Sequence, residues 1–265
     1  MVNIQGLYKF RDFFQNYTDK YVLIGGTACS IVFDEVGGDF RATKDLDVVL
    51  IVENINEEFG RAFWDFIKEA NYNGIETGQP QKQFYRFKNP EDTTYPQMIE
   101  LFSRTPDIQL LPEAHLTPVH ISDDVSSLSA ILLNDDYYDF LLSGRRILDG
   151  FSVLDEIHLI PFKVKAWCEL TTRRKEGEEG QSRHIRKHYR DVYHLLMLLP
   201  PNERVELPEQ LKADMQAFIA GIRQGDNKSD DIDNNLLCKR LEEIYLSLMS
   251  QTMNISKPSM NLPML

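Results

Sequence analysis

Residues 21–53 read YVLIGGTACSIVFDEVGGDFRATKDLDVVLIVE, and the fold class is argued from this stretch first. The run YVLI (21–24) is apolar and stops at Gly25-Gly26, the pattern of a buried strand entering a tight turn. Thr27 to Phe33 (TACSIVF) places small residues beside the turn and predicts a helix start. Residues 46–52, LDVVLIV, are rich in β-branched side chains and predict a strand buried on both faces. Strand, helix and strand in such close succession imply a mixed α/β sheet.

Further along, residues 57–70 (EEFGRAFWDFIKEA) set Phe59, Phe63, Phe66 and Ile67 at helical spacing. Residues 83–87 (QFYRF) and 98–102 (MIELF) predict two more strands, with turn chemistry in KNPEDTTYP between them. Val119 to Ile121 predicts a short further strand. Beyond residue 124 the pattern is helical. Helices are expected over 127–143 and over 161–173, where Pro161 sits near a first turn. Another is expected over 186–199, with Tyr189, Val192, Leu195, Leu196 and Leu199 on one face. Two more are expected over 208–223 and 234–250, while 175–183 reads as an exposed loop. The expected organisation is an α/β part over 1–123, a helical part over 124–252 and an irregular tail over 253–265.

Charge and cysteine content narrow the function classes. Lys plus Arg is 29 and Asp plus Glu is 41 in 265 residues, a net charge of −12. That argues against indiscriminate binding to nucleic acid or to an anionic membrane. Cys29, Cys168 and Cys238 are odd in number and form no CxxC pair, which excludes a disulfide framework and argues against a cysteine zinc site. The opening MVNIQGLYKFRDFF has no long apolar core, and no apolar run approaches ~18 residues. No membrane partner is therefore expected, and the reducing cytoplasm is the expected compartment.

Asp45 and Asp47 flank Leu46 at the mouth of the second strand, on one face and ~6–7 Å apart along it. The pair is either a polar strand start or part of a site for a hard divalent cation such as Mg²⁺, completed by substrate phosphates. Gly25-Gly26 is either a plain tight turn or a place where backbone N–H groups meet a phosphate at a helix start. Glu100 alternates with Ile99 and Leu101 in MIELF, so it faces solvent on an edge strand or joins the two aspartates.

Gly25-Gly26-Thr27-Ala28, a helix, then Arg41-Ala-Thr43-Lys-Asp45-Leu-Asp47, then a strand carrying Glu100, resembles the nucleotidyltransferase superfamily with the DNA polymerase β fold. Within it the sequence is similar to the AbiEii-like group, which includes type IV toxin components. In the helical half, PFKVKAW and YRDVYHLL resemble that group's lysine helix and its basic-Asp helix. The resemblance implies a nucleotidyltransferase fold, a mixed sheet with helices, followed by an α-helical C-terminal domain, with the catalytic cleft between them. It implies that Gly25, Gly26, Thr27 and Lys163 hold the triphosphate of an NTP donor, with Lys165 as the alternative lysine. Asp45 and Asp47 would bind Mg²⁺, Glu100 would complete the metal set or assist deprotonation of the acceptor, and Asp191 would position Lys163 or the acceptor. The implied reaction moves an NMP to a hydroxyl of an RNA end or a protein, in a toxin with a cognate antitoxin. The sequence departs from the group in the long spacing between Gly26 and Asp45, which contains DEVGGDFR, and in His194, where the group carries a second acid.

Two other functions fit the same residues: a catalytically silent nucleotide- or partner-binding protein, and a small-molecule nucleotidyltransferase. The second is disfavoured by the basic residues Arg173, Arg174, Lys175, Arg183, Arg186, Lys187 and Arg190, because a cationic antibiotic needs an acidic pocket. That basic stretch either guides an RNA acceptor or forms a solvated face with Glu176, Glu178 and Glu179. His184 and His188 stand at i, i+4 with no evident third ligand, which argues against zinc. Arg41 contacts a phosphate or pairs with an acid, and Tyr85, Tyr95, Tyr137 and Tyr138 stack on a base or fill the core.

Overall fold

Four consecutive buried residues make β1 (Tyr21–Ile24), and β2 (Asp45–Leu50) runs antiparallel to it, with Ile24 opposite Asp47. The computed structural model describes residues 2–76, 84–104, 134–225 and 231–247. Helix α1 (Leu7–Phe14) precedes β1, and α2 (Gly25–Glu35) follows it directly. Helix α3 (Glu57–Ala70) begins where the Asn56 side chain accepts the Phe59 N–H and ends at Asn71 in the left-handed region. Then come β3 (Tyr72–Glu76), β4 (Phe84–Pro90) and β5 (Met98–Ser103). Beyond them lie α4 (Asp135–Ser143), the hairpin β6 (Arg145–Leu148) and β7 (Phe151–Leu154), and helices α5 (Glu156–Lys175), α6 (Ser182–Leu198), α7 (Glu209–Gln224) and α8 (Asn234–Leu241).

The described strands form one mixed seven-stranded sheet in the order β3-β4-β5-β2-β1-β7-β6. β2 is central, parallel to β5 with Asp47 opposite Glu100, and β4 is antiparallel to β5 with Arg86 opposite Glu100. One face of the sheet buries Tyr21, Leu23, Leu46, Val48 and Ile99 against Phe10 and Phe14 of α1 and Phe59, Phe63 and Phe66 of α3. The other face buries Val22, Ile24, Val49, Phe102 and Leu154 against α2 and the helices after β7 in a single apolar core.

Several expectations change. The hairpin at 145–154 was not anticipated, although Asp149-Gly150 is a strong two-residue turn signal and both residues have positive φ. Its strand β7 pairs in parallel with β1 through Leu23 and Val153, so the sheet continues past the expected division at residue 123. α1 and β3 were also unanticipated. Val119–Ile121, residues 127–133 of the expected 127–143 helix, the end of the 234–250 helix and the 253–265 tail lie outside the described residues. Among the described residues no helix is long and apolar enough to cross a membrane.

Pro161 is inside α5, not in a first turn; the helix starts earlier because Asp155 caps it, accepting the His158 N–H at 2.9 Å. A proline there removes the donor that would meet the Ile157 carbonyl four residues back. That carbonyl instead accepts the Tyr245 hydroxyl at 2.7 Å. Tyr245 lies in a π-helical turn (Glu242–Leu246) after α8 and is buried. Tyr245→Phe should therefore leave a part-buried carbonyl unpaired and lower unfolding stability by ~1–3 kcal/mol in urea titration; an unchanged midpoint would show that water replaces the hydroxyl.

Candidate active site

The turn between β1 and α2 is built on glycine for two separate reasons. Gly25 has φ +66, a conformation that L side chains rarely adopt, and a Cβ there would overlap the Asp47 carboxylate. A Cβ on Gly26 would lie 2.8 Å from Thr43 Oγ1. The turn thus presses against the mouth of β2 and its acids. Thr27, expected among the triphosphate contacts, is fully buried, and its hydroxyl donates to the Asp45 carbonyl at 2.6 Å. Its side chain ties α2 to β2 and is not open to a ligand.

A cleft of about 370 Å³ opens beside this turn. Its floor carries Asp45, Asp47 and Glu100 from neighbouring strands, and its opposite wall carries Lys163 from α5 with His184, Lys187 and His188 from α6. The two aspartates and the glutamate are brought to one cavity, as strand register requires. The Glu100 carboxylate is, however, held by Arg86 at 2.5 Å. Among the described residues no group of three His, Cys, Asp or Glu is placed to hold a metal ion. The expected three-acid metal set is thus corrected to two acids, with Glu100 engaged by the cation on the adjacent strand.

Asp45 and Asp47 fit a hard cation by their chemistry. Burial, and then the Asp45 charge, raise the Asp47 pKa to about 6, against the pull of Lys163, Lys187 and the Gly26 N–H. Burial raises Asp45 as well. These are carboxylates with insufficient positive charge around them. Mg²⁺ takes one or two protein carboxylates and fills its remaining positions with water and phosphate oxygens, so the donor set suits it. Burial and the Asp47 charge raise Glu100 to about 8 despite Arg86.

Across the cleft, Asp191 is buried and accepts both arms of the Arg41 guanidinium at 2.8 Å. Lys163 Nζ lies 3.1 Å from the same carboxylate. Burial pushes the Asp191 pKa up, but Lys163 and Arg41 outweigh it and hold the carboxyl well below the ordinary range. Burial disfavours the Lys163 charge, which nearby Cys29 and Asp191 more than offset. Lys165 points away from the cleft, toward Asp214 at 3.3 Å and Glu169 at 3.7 Å. Of the two lysines, Lys163 is therefore the one that faces the acids. Arg41 is an acid partner, and Asp191 is taken up by the two cations it pairs with.

Sequence reasoning had no signal for Arg86 and Lys88, which line the cleft from β4, because facing strands are not visible in a single strand's pattern. Lys187 and His188 appeared in it only as members of a basic run and of a weak zinc pair. Tyr95, Tyr137 and Tyr138 are core residues whose hydroxyls bond to Glu69, Asp214 and Glu53, and so are unavailable to a base. The Tyr85 side chain lies outside the described residues.

No protein-family model matches the chain, and no curated protein matches it in sequence. Among solved structures, the crystal structure of an antigenic nucleotidyltransferase-like protein from Paracoccidioides brasiliensis is similar over 91% of this chain and 95% of that chain, at 12% identity and a TM-score of 0.45. That likeness is too remote to inform function.

Two outcomes follow from the geometry. Gly25→Ala should cost at least about 1 kcal/mol from the positive φ alone and displace the Asp47 carboxylate, seen as a lowered melting temperature and loss of ligand binding. Asp47 has a folded pKa above its unfolded value, so the folded state binds its proton more tightly. Its charge then reduces stability as pH rises from about 4 through about 6. Metal-free Asp47→Asn should consequently be more stable than wild type at pH 8, by on the order of 1–2 kcal/mol, and no more stable at pH 3.5. Melting curves across that range check the sign; a variant less stable at pH 8 would show that the carboxylate is already neutralised.

Proposed function

We propose that the protein is a nucleotidyltransferase that moves an NMP from an NTP to an acceptor hydroxyl. One observation carries the reading: a single cleft sets uncompensated carboxylates on one side and excess cations on the other. Arg41, Lys163 and Lys187 against Asp191 leave two net positive charges in the wall, while in the floor three acids, Asp45, Asp47 and Glu100, outnumber the two cations Arg86 and Lys88. A divalent cation carrying a polyphosphate complements both sides at once.

In this reading Asp45 and Asp47 would hold Mg²⁺, which supplies charge neutralisation at the phosphate oxygens when bound. Lys163 and the Gly25-Gly26 backbone would hold the triphosphate, with Asp191 and Arg41 fixing the lysine. Glu100 would accept the acceptor hydroxyl's proton in its ionised form, which a pKa raised to about 8 makes the minor form at neutral pH and the major form above it. The acceptor oxygen then bonds to the α-phosphorus, and the bond to the departing pyrophosphate breaks. The acceptor is proposed to be an RNA end or a protein side chain. The likeness of PFKVKAW and YRDVYHLL to the AbiEii-like group extends the proposal to a cytoplasmic type IV toxin with a cognate antitoxin. The Arg86–Glu100 pair favours one alternative: a cleft that binds the nucleotide and does not turn it over, because its base is already occupied.

Incubation with each α-labelled NTP, Mg²⁺ and total RNA or total protein separates these readings. Label should appear in one acceptor pool, and Asp47→Asn should reduce transfer by roughly 10²–10³-fold while the protein stays folded. Tight NTP binding without transfer would select the silent alternative, and transfer at wild-type rate by Asp47→Asn would remove the proposed chemistry.

A further inference from the structure

α6 presents His184, Lys187, His188 and Asp191 on one face, because residues three and four apart are neighbours on a helix. Asp191 pairs with Arg41 and Lys163, and Lys163 lines the cleft while paired with Asp191. Lys187 is different. It lines the cleft while part of it reaches solvent, and among the described residues no ion pair holds it. His188 lines the cleft beside it, and its Nδ1 is buried with no hydrogen-bond partner. A buried polar atom left unpaired costs free energy, and such atoms are rare in folded proteins without a ligand or water to meet them.

We infer that Lys187 and His188 form the anion contact of the cleft, with a phosphate oxygen of the ligand as the partner of His188 Nδ1. This rests on the nucleotide reading of the cleft and names the residues that recognise the phosphate chain beyond Lys163. The surroundings agree. The ring is faced by Lys187 and Asp191 on its own helix, Lys163 on α5 and Arg41 ahead of β2. Burial and then Lys163 hold its pKa well below the ordinary histidine value, which favours the neutral imidazole. Burial, Arg41 and Lys163 likewise lower the Lys187 pKa. Both shifts come first from burial, and Lys163 and Arg41 add to it against the opposing pull of Asp191. An arriving phosphate supplies the missing negative charge and makes the second proton on His188 favourable. Anion binding should therefore be accompanied by proton uptake at this ring.

The test uses the full chain and inorganic pyrophosphate without metal, so that the acids contribute no cation-driven change. Histidine Cε1 resonances are followed at pH 7, with the His188 signal assigned by its loss in His188→Gln. Pyrophosphate should move that signal toward the imidazolium position, and calorimetry should show proton uptake that varies with buffer. His188→Gln and Lys187→Gln should each weaken pyrophosphate binding about tenfold with melting temperature retained. Wild type that binds pyrophosphate while the His188 signal stays in place and both variants bind equally well would overturn this inference and leave the nucleotide reading standing. Wild type that binds neither pyrophosphate nor Mg²⁺-NTP would overturn both.

Discussion

One buried carboxylate holds the two halves of the molecule in register. Asp191 on α6 accepts the fork of Arg41, from the segment leading into β2, and pairs with Lys163 on α5. Buried charges are expensive to desolvate and tolerate little misplacement, so a forked pair with a second cation defines geometry more sharply than apolar packing does. The α5–α6 pair can therefore sit on the sheet in only one way that satisfies all three groups. Two cations share one carboxylate, so the cluster keeps a net positive charge, and that charge faces the acids of β2.

The acids are placed by sheet register rather than by a local motif alone. Period-two alternation puts Asp45 and Asp47 on one face, and the parallel pairing of β2 with β5 puts Glu100 opposite Asp47. The antiparallel pairing of β4 with β5 then brings Arg86 onto Glu100. Burial raises the pKa of all three acids, and a neighbouring aspartate charge adds to it at Asp47 and Glu100. A fold under selection for stability alone would replace at least one of them with an amide. Charge held at such a cost is what a site for an opposite charge would require, and it marks these acids as a candidate site.

Much of this was legible in the sequence where signals are local. The apolar run Tyr21–Ile24, the Gly25-Gly26 turn and the helical spacing of Phe59, Phe63, Phe66 and Ile67 depend on neighbours within a few residues. Asp45 and Asp47 were singled out by their spacing and Lys163 by the family resemblance, and all three line one cleft. The failures are tertiary. Pro161 reads as a helix start, because nothing nearby reveals that Tyr245 will supply the missing donor from 84 residues away in the chain. Thr27 reads as a phosphate contact, because its hydroxyl's use by the Asp45 carbonyl depends on how α2 packs on β2. Glu100 reads as a metal ligand until the strand carrying Arg86 is laid beside it. The hairpin at Asp149-Gly150 was available as a turn signal but lay within a segment dominated by helical patterns.

The apolar lining of the cleft bears on how strongly its two charged sides act. Ile24, Phe102, Leu159, Phe162 and Leu170 share the cavity with the acids and the cations. Apolar walls exclude water and lower the effective dielectric, which strengthens each charge–charge interaction within. The same walls raise the cost of leaving those charges unmatched, which is why the carboxylate pKa values rise and those of Lys187 and His188 fall together. A ligand that carried only positive or only negative charge would relieve one side and aggravate the other. A cation bound to a polyphosphate would relieve both, so by charge the cleft is matched to a ligand that carries the two signs together. That match would depend on the separation of the sheet from the α5–α6 pair, which the Arg41–Asp191–Lys163 cluster bridges.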